Sequence, residues 1–177
     1  TLLVENGRIA DRGQRRLRTG LREIARIHAG IFALTNNQNV IIAGVSPAQR
    51  PAIEALIAEY GLQREVSLLR RNAMACVAFP TCALAMAESE RYLPDLITRL
   101  DEVVDACGLA DTPITMRMTG CPNGCARPYI AEIGLVGKAP GKYNLYLGAG
   151  FHGQRLSKLH RENIGEEAII EALTPLL

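Results

Sequence analysis

The sequence predicts an α+β chain in two parts. Three observations carry this. Short β-rich runs alternate with amphipathic helical stretches along residues 1–70. Residues 71–177 change texture, with four of the chain's five cysteines in two pairs beside Pro and Gly. Near the end, two strand-like runs flank a Pro-Gly turn and precede a closing amphipathic helix.

In the first part, LLVENGRI reads as a strand running into a turn. Thr19 is placed to cap a helix over residues 20–28, with Leu21, Ile24, Ala25 and His28 on one face and Gly30 ending it. IFALT and VIIAGV, joined by the turn-type NNQN, predict a hairpin over residues 31–45. Ser46-Pro47 then pairs an N-cap with a Pro at the first helical position, and Ile53, Leu56, Ile57 and Tyr60 form that helix's apolar stripe. REVSLL reads as a last strand. Strand, helix, strand, strand, helix, strand is the order of a ferredoxin-like unit, so residues 1–70 are expected to form one such lobe.

The second part opens on MACVAFPTCALAMAESE, small residues and cysteines around Pro80. A helix is expected over residues 93–107, with Pro94 in its first turn. ITMRM reads as a strand delivering the chain into TGCPNGC, and EIGLVGKAPGKYNLYLGAG as two strands around a Pro-Gly turn. EEAIIEALTPLL closes the chain as a helix, and no internal repeat is found. Residues 71–177 are expected to form an α/β domain.

With 48% hydrophobic and 21% charged residues, the composition is that of an ordinary globular protein. A net charge of +2 and 5% aromatic residues argue against a nucleic-acid partner, because neither a basic footprint nor stacking platforms are present. No apolar run has the length of a membrane span, and no signal-peptide core stands at the start, which points to the cytoplasm and to no membrane partner. A start at Thr1 within a strand-like run reads as a piece of a longer chain.

Cys76 and Cys82 form a C-x5-C pair, and Cys121 and Cys125 a C-x3-C pair, while Cys107 stands apart. Disulfides fit poorly with a reducing compartment. Structural zinc usually takes pairs with two to four intervening residues, so the wider pair favours four thiolates around an iron–sulfur cluster, with a zinc-stabilised binding module as the alternative of another class. On a helical turn, the Cβ atoms of Cys121 and Cys125 would lie about 5–6 Å apart. Pro122 and Gly124 let the backbone approach closely, and free N–H groups at a turn would offset thiolate charge. Cys107, ending an apolar helix, is expected to be a buried core thiol.

ACVAFPTCALAMAE followed by TGCPNGCARP resembles the siroheme- and iron–sulfur-containing sulfite and nitrite reductases. NNQNVIIAGV and GLVGKAPGKYNLYLG are also similar, so the resemblance covers nearly the whole chain. CVAFPTC resembles the NADPH-dependent sulfite reductase form rather than the nitrite reductase form, with a ferredoxin-dependent sulfite or nitrite reductase as the alternative.

The resemblance implies that Cys76, Cys82, Cys121 and Cys125 hold a 4Fe-4S cluster and that Cys125 also bridges to the siroheme iron. It implies that Asn123 and Gly124 line the haem face, that Arg127 meets a haem carboxylate, and that Gln38 and Asn39 reach the cofactor. By themselves, Arg127 reads as a solvated helix residue, NNQN as a turn, and Lys138 and Lys142 as surface lysines. Arg12, Arg15, Arg16 and Arg18 read as a solvated face or an edge covered by other chain, and His28, His152 and His160 have no metal-like spacing. The family reduces sulfite to sulfide by six electrons in sulfate assimilation, and its enzymes are built from two homologous halves. This chain resembles the C-terminal half. The implied partners are the N-terminal half of the same subunit, which carries most sulfite-binding residues, and a flavoprotein (alpha) subunit that delivers electrons from NADPH. The segment alone is expected to be inactive.

Overall fold

The computed structural model describes all residues, 1–177. The chain divides into two units, Thr1–Glu65 and Val66–Leu177.

The first unit is built on two amphipathic helices and a hairpin. Helix α1 (Leu17–Ile27) buries Leu17, Gly20 and Ile24. Helix α2 (Arg50–Glu59) turns Ile53 inward, with Leu56, Ile57 and Tyr60 packed around the same core. Leu2, Val4, Val40 and Leu62 complete that core. Ahead of α1, β1 (Asp11–Arg12) and β2 (Arg15–Arg16) form a short antiparallel ribbon. Strands β3 (Ile31–Leu34) and β4 (Val40–Ala43) make the expected hairpin, Leu34 opposite Val40.

Three local expectations for this unit change. The strand read in LLVENGRI reduces to one bridge, Leu2 with Val40, before a tight turn over Glu5–Gly7 in which Asn6 is left-handed. Helix α1 begins at Leu17, before Thr19, because its N-terminal donors are met from across the ribbon. Asp11 accepts from the Thr19 backbone N–H at 3.0 Å and from its hydroxyl at 2.7 Å. Those two bonds, foremost the backbone one, hold the Asp11 carboxyl below its usual range. Ser46 organises a turn, its carbonyl accepting from Gln49 and Arg50, and α2 starts after that turn with Pro in its first positions.

The strand read in REVSLL does not form. Ser67 accepts a hydrogen bond from the Arg70 N–H and caps a one-turn helix, α3 (Leu68–Arg71), which belongs to the second unit and packs there with the helix over Leu93–Ala106. A local cap outcompetes the strand read there.

The second unit is a five-stranded sheet in the order β5-β6-β7-β8-β9. Strands β5 (Ala73–Ala75), β6 (Met116–Thr119) and β7 (Ile133–Ala139) run parallel, while β8 (Lys142–Leu147) pairs antiparallel with β7 and β9 (Lys158–Ile164) antiparallel with β8. Helix α4 (Leu93–Ala106), with Pro94 in its first turn, buries Leu93, Leu96, Ile97, Leu100 and Val104. Together with Ile169 and Leu173 of α5 (Glu166–Leu173), these pack on Ala75, Met116, Met118, Leu135 and Leu145 of the sheet. Each of the buried Leu, Ile, Val and Met side chains contributes roughly 1.5–3 kcal/mol of burial energy, an upper figure because the unfolded chain already hides some surface.

Strand β9 was not foreseen, because KLHRENI carries no apolar alternation. It is an exposed, charged edge strand, which is how a sheet blunts an open edge.

Cys107 is exposed rather than buried. Helix α4 ends in a Schellman arrangement in which Leu109 N–H donates to the Val104 carbonyl and Gly108 N–H to Asp105, both at 3.0 Å. Leu109 thereby packs against the core, and Cys107 faces outward.

Candidate metal centre

Parallel neighbours bring their carboxyl ends to the same edge of a sheet, where α/β folds place their ligands. Strands β5 and β6 are such neighbours, with Ala75 beside Met118. Cys76 directly follows β5, and Gly120 and Cys121 directly follow β6, so segments far apart in sequence meet there. The Cys76 N–H donates to the Met118 carbonyl at 3.1 Å, continuing the ladder by one residue. The Gly120 N–H then donates to the Cys76 Sγ at 3.2 Å.

The loop bearing Cys82 folds back onto the same point. Cys82 N–H donates to the Ala78 carbonyl at 2.8 Å, and the N–H groups of Met86 and Ala87 both donate to the Gly120 carbonyl, at 2.7 and 3.0 Å. Ala78 takes a positive φ of 42°, and the Phe79-Pro80 peptide is cis. Gly120 is wedged between these loops: a Cβ there would stand 2.6 Å from the Ala78 Cβ and 2.7 Å from the Ala87 carbonyl oxygen. Only a residue without a side chain lets the β5 loop and the β6 end touch.

Cys121 and Cys125 do not share a helical turn. Gly124 is left-handed at φ 66°, and the chain makes two successive turns, Gly124 N–H to the Cys121 carbonyl and Arg127 N–H to the Gly124 carbonyl. Cys121 is buried, Cys76 and Cys82 are half-buried, Cys125 is exposed, and all are free thiols. No three His, Cys, Asp or Glu groups converge closely enough to hold one metal ion. Four thiolates on a single zinc at 2.3 Å would require sulfurs about 3.8 Å apart. A splayed set of thiols on two loops, with a backbone N–H already aimed at one sulfur, suits a larger anionic cluster better. Thr119, fully buried beside Gly120, carries a hydroxyl with no protein partner, as expected where a further acceptor belongs.

Asn123 is exposed and Gly124 half-buried on the same loop. Arg127 is half-buried and left-handed, φ 57°, so it is not the solvated helix residue that it resembles in isolation. Gln38 and Asn39 lie in the β3–β4 turn of the first unit, where Gln38 has φ 64°. The Asn39 side chain accepts from the Val4 N–H at 2.9 Å, which gives it a structural task there. Lys138 and Lys142 are exposed at the β7–β8 hairpin. Of the basic run, Arg12 and Arg18 are exposed, whereas Arg15 donates to the Leu3 carbonyl and Arg16 lies over the Tyr60 ring. His28 is buried against the Ala43 carbonyl, and His152 and His160 are exposed.

Sequence reasoning passed over Arg117 and Thr119. The alternation in TMRMT was the available signal: Met116 and Met118 enter the core, so the residues between them face the other side of the sheet.

Residues 1–60 match the nitrite/sulfite reductase ferredoxin-like half domain. Across its full length the chain is 61% identical to the sulfite reductase (NADPH) hemoprotein beta-component of Afipia carboxidovorans and 62% identical to that of Geobacillus kaustophilus. The chain spans 31% of the length of each of these relatives. The NirA protein of Mycobacterium tuberculosis is a structural neighbour, with a TM-score of 0.68 and 24% identity, over 88% of this chain and 31% of that one, a likeness of fold. The chain's mixed helix-and-sheet architecture, and its likeness of fold to that neighbour, agree with the α+β class expected from the sequence. No helix is long and apolar enough to cross a membrane.

Proposed function

We propose that this chain is the cluster-binding segment, and one wall of the siroheme site, of an NADPH-dependent assimilatory sulfite reductase hemoprotein, an enzyme that reduces sulfite to sulfide by six electrons in the cytoplasm. The observation that carries this reading is the 61% identity over 100% of the chain to a protein named as that hemoprotein. The meeting of both cysteine loops at adjacent strand ends supports it independently.

In this reading Cys76, Cys82, Cys121 and Cys125 would hold the cluster, and Cys125, the exposed thiol, would be the one shared with the siroheme. The bound cofactors supply the electron transfer and the reductive chemistry. The chain's own residues supply placement and charge compensation. The Gly120 N–H offsets negative charge on the Cys76 thiolate, and the Met86 and Ala87 N–H groups clamp the Cys82 loop to Gly120. Asn123 and Gly124 would line the haem face, Arg127 would bind a carboxylate, and Gln38 and Asn39 would reach the cofactor. Residues 71–177 form the cofactor domain, residues 1–70 the ferredoxin-like lobe. The remaining length of the hemoprotein binds sulfite, and a flavoprotein partner delivers the electrons.

Iron, acid-labile sulfide and zinc are measured on the chain after anaerobic reconstitution, together with the visible spectrum. About four irons and four sulfides per chain support the assignment. One zinc per chain, with no iron in the full-length protein either, refutes it. Full-length enzyme assayed with NADPH plus flavoprotein, against reduced ferredoxin, decides the electron donor.

A further inference from the structure

We propose that Arg117 and Thr119 of β6, together with Arg127, form a carboxylate-binding site on the sheet face opposite α4, and that it takes a carboxylate of the polycarboxylate macrocycle. The inference rests on the siroheme reading above.

Met116 and Met118 belong to the core under α4 and α5, so by the two-residue period of a strand Arg117 and Thr119 point to the other face. Arg117 is only 8% exposed, yet it makes no ion pair. Its one hydrogen bond is long, 3.4 Å from Nη1 to the Arg127 carbonyl. Arg127 Nη2 lies 3.8 Å from the sulfur of Met74, and Met74 is the β5 residue paired with Arg117. Two guanidinium groups therefore approach over the same strand pair, and the Arg127 charge adds to burial in making the Arg117 cation harder to maintain. Two residues along the same face, the fully buried Thr119 hydroxyl has no partner.

Folding gains nothing from a buried cation without a counter-charge beside a hydroxyl without an acceptor. A planar anion with two oxygens answers both, one oxygen pair on a guanidinium fork and a further lone pair for a hydroxyl. A small oxyanion such as sulfite or sulfate shares that chemistry. The face adjoins the loop bearing Cys121 and Cys125, and a cofactor with many carboxylates seated there needs such cations.

The test compares wild-type chain with R117M, R117K and T119V, using siroheme, its methyl ester and inorganic sulfate as probes. Siroheme affinity is expected to fall about ten-fold or more in R117M, the usual loss for a charge-assisted hydrogen bond, and less in R117K. The uncharged ester is expected to bind wild type and R117M alike. Without any probe, R117M is expected to unfold at the same temperature as wild type or higher, because an uncompensated buried charge has been removed. A lowered unfolding temperature with unchanged siroheme affinity would make Arg117 a structural residue and overturn the proposal. Sulfate stabilising wild type but not R117M, with siroheme affinity unaffected, overturns it in favour of a small-oxyanion site. Wild type that binds no siroheme, as the chain or at full length, refutes the functional reading itself; wild type that binds it equally well without Arg117 refutes only this inference.

Discussion

The backbone N–H of Gly120 lies 3.2 Å from the sulfur of Cys76, joining residues 44 apart in sequence across the ends of two parallel strands. Around that contact the Cys82 loop is held by two hydrogen bonds to the Gly120 carbonyl. The cysteine-bearing loops are thus ordered by backbone bonds that the chain supplies itself.

Replacing Gly120 with Ala should break this junction. The added methyl meets the Ala78 Cβ at 2.6 Å and backbone oxygen of Ala87 at 2.7 Å, so a backbone shift is needed. A loss of about 1–3 kcal/mol is expected from overpacking. Denaturant unfolding gives the stability change, and iron content after reconstitution should fall with it.

Cys107 and Cys125 are both exposed thiols, yet they should behave differently. C107A is expected to leave iron and sulfide content unchanged, since Cys107 stands at the end of α4. C125S in full-length enzyme is expected to abolish sulfite reduction and alter the haem spectrum. Iron lost from C107A, or turnover retained by C125S, would show that the wrong four cysteines were chosen.

Tyr143 is buried under the α4 side of the sheet, stacked on Tyr92 at 5.5 Å, and its hydroxyl donates to the Glu88 carbonyl at 2.7 Å. Y143F keeps the ring and removes that bond to the segment following the Cys82 loop. A cost of about 1 kcal/mol is expected, read from the denaturant midpoint.

Arg99 of α4 donates to Glu166 and Glu167 at the start of α5, with bonds of 2.7 and 2.9 Å to Glu167. Those bonds, and then the Arg99 charge, hold the Glu167 carboxyl below its usual range. A depressed carboxyl stabilises the fold above its unfolded value, and that contribution is lost as pH falls through the folded one. R99M should therefore unfold at a lower temperature than wild type at pH 7, by a modest amount because the pair is exposed. The difference should shrink below about pH 4.3, the unperturbed glutamate value.

Several elements were legible in the sequence because their signals are local. Strand-like runs and turn chemistry marked the β3–β4 and β7–β8 hairpins, and Pro94 in a first helical turn marked the start of α4. The signals failed where a neighbour outcompeted them. Asp11 caps α1 from outside the helix, Ser67 turns an apparent strand into a helical turn, and β9 pairs through its backbone while its side chains stay polar.

The same division holds at the candidate centre. By itself the sequence determined that four cysteines stand in two pairs beside Pro and Gly, and that these motifs resemble the sulfite and nitrite reductases. Only the tertiary structure decided that Cys76 meets Gly120, that Cys107 faces out, and that Arg117 and Thr119 share a face. Residue spacing reports what a chain segment can reach locally, whereas strand pairing decides which distant segments end side by side.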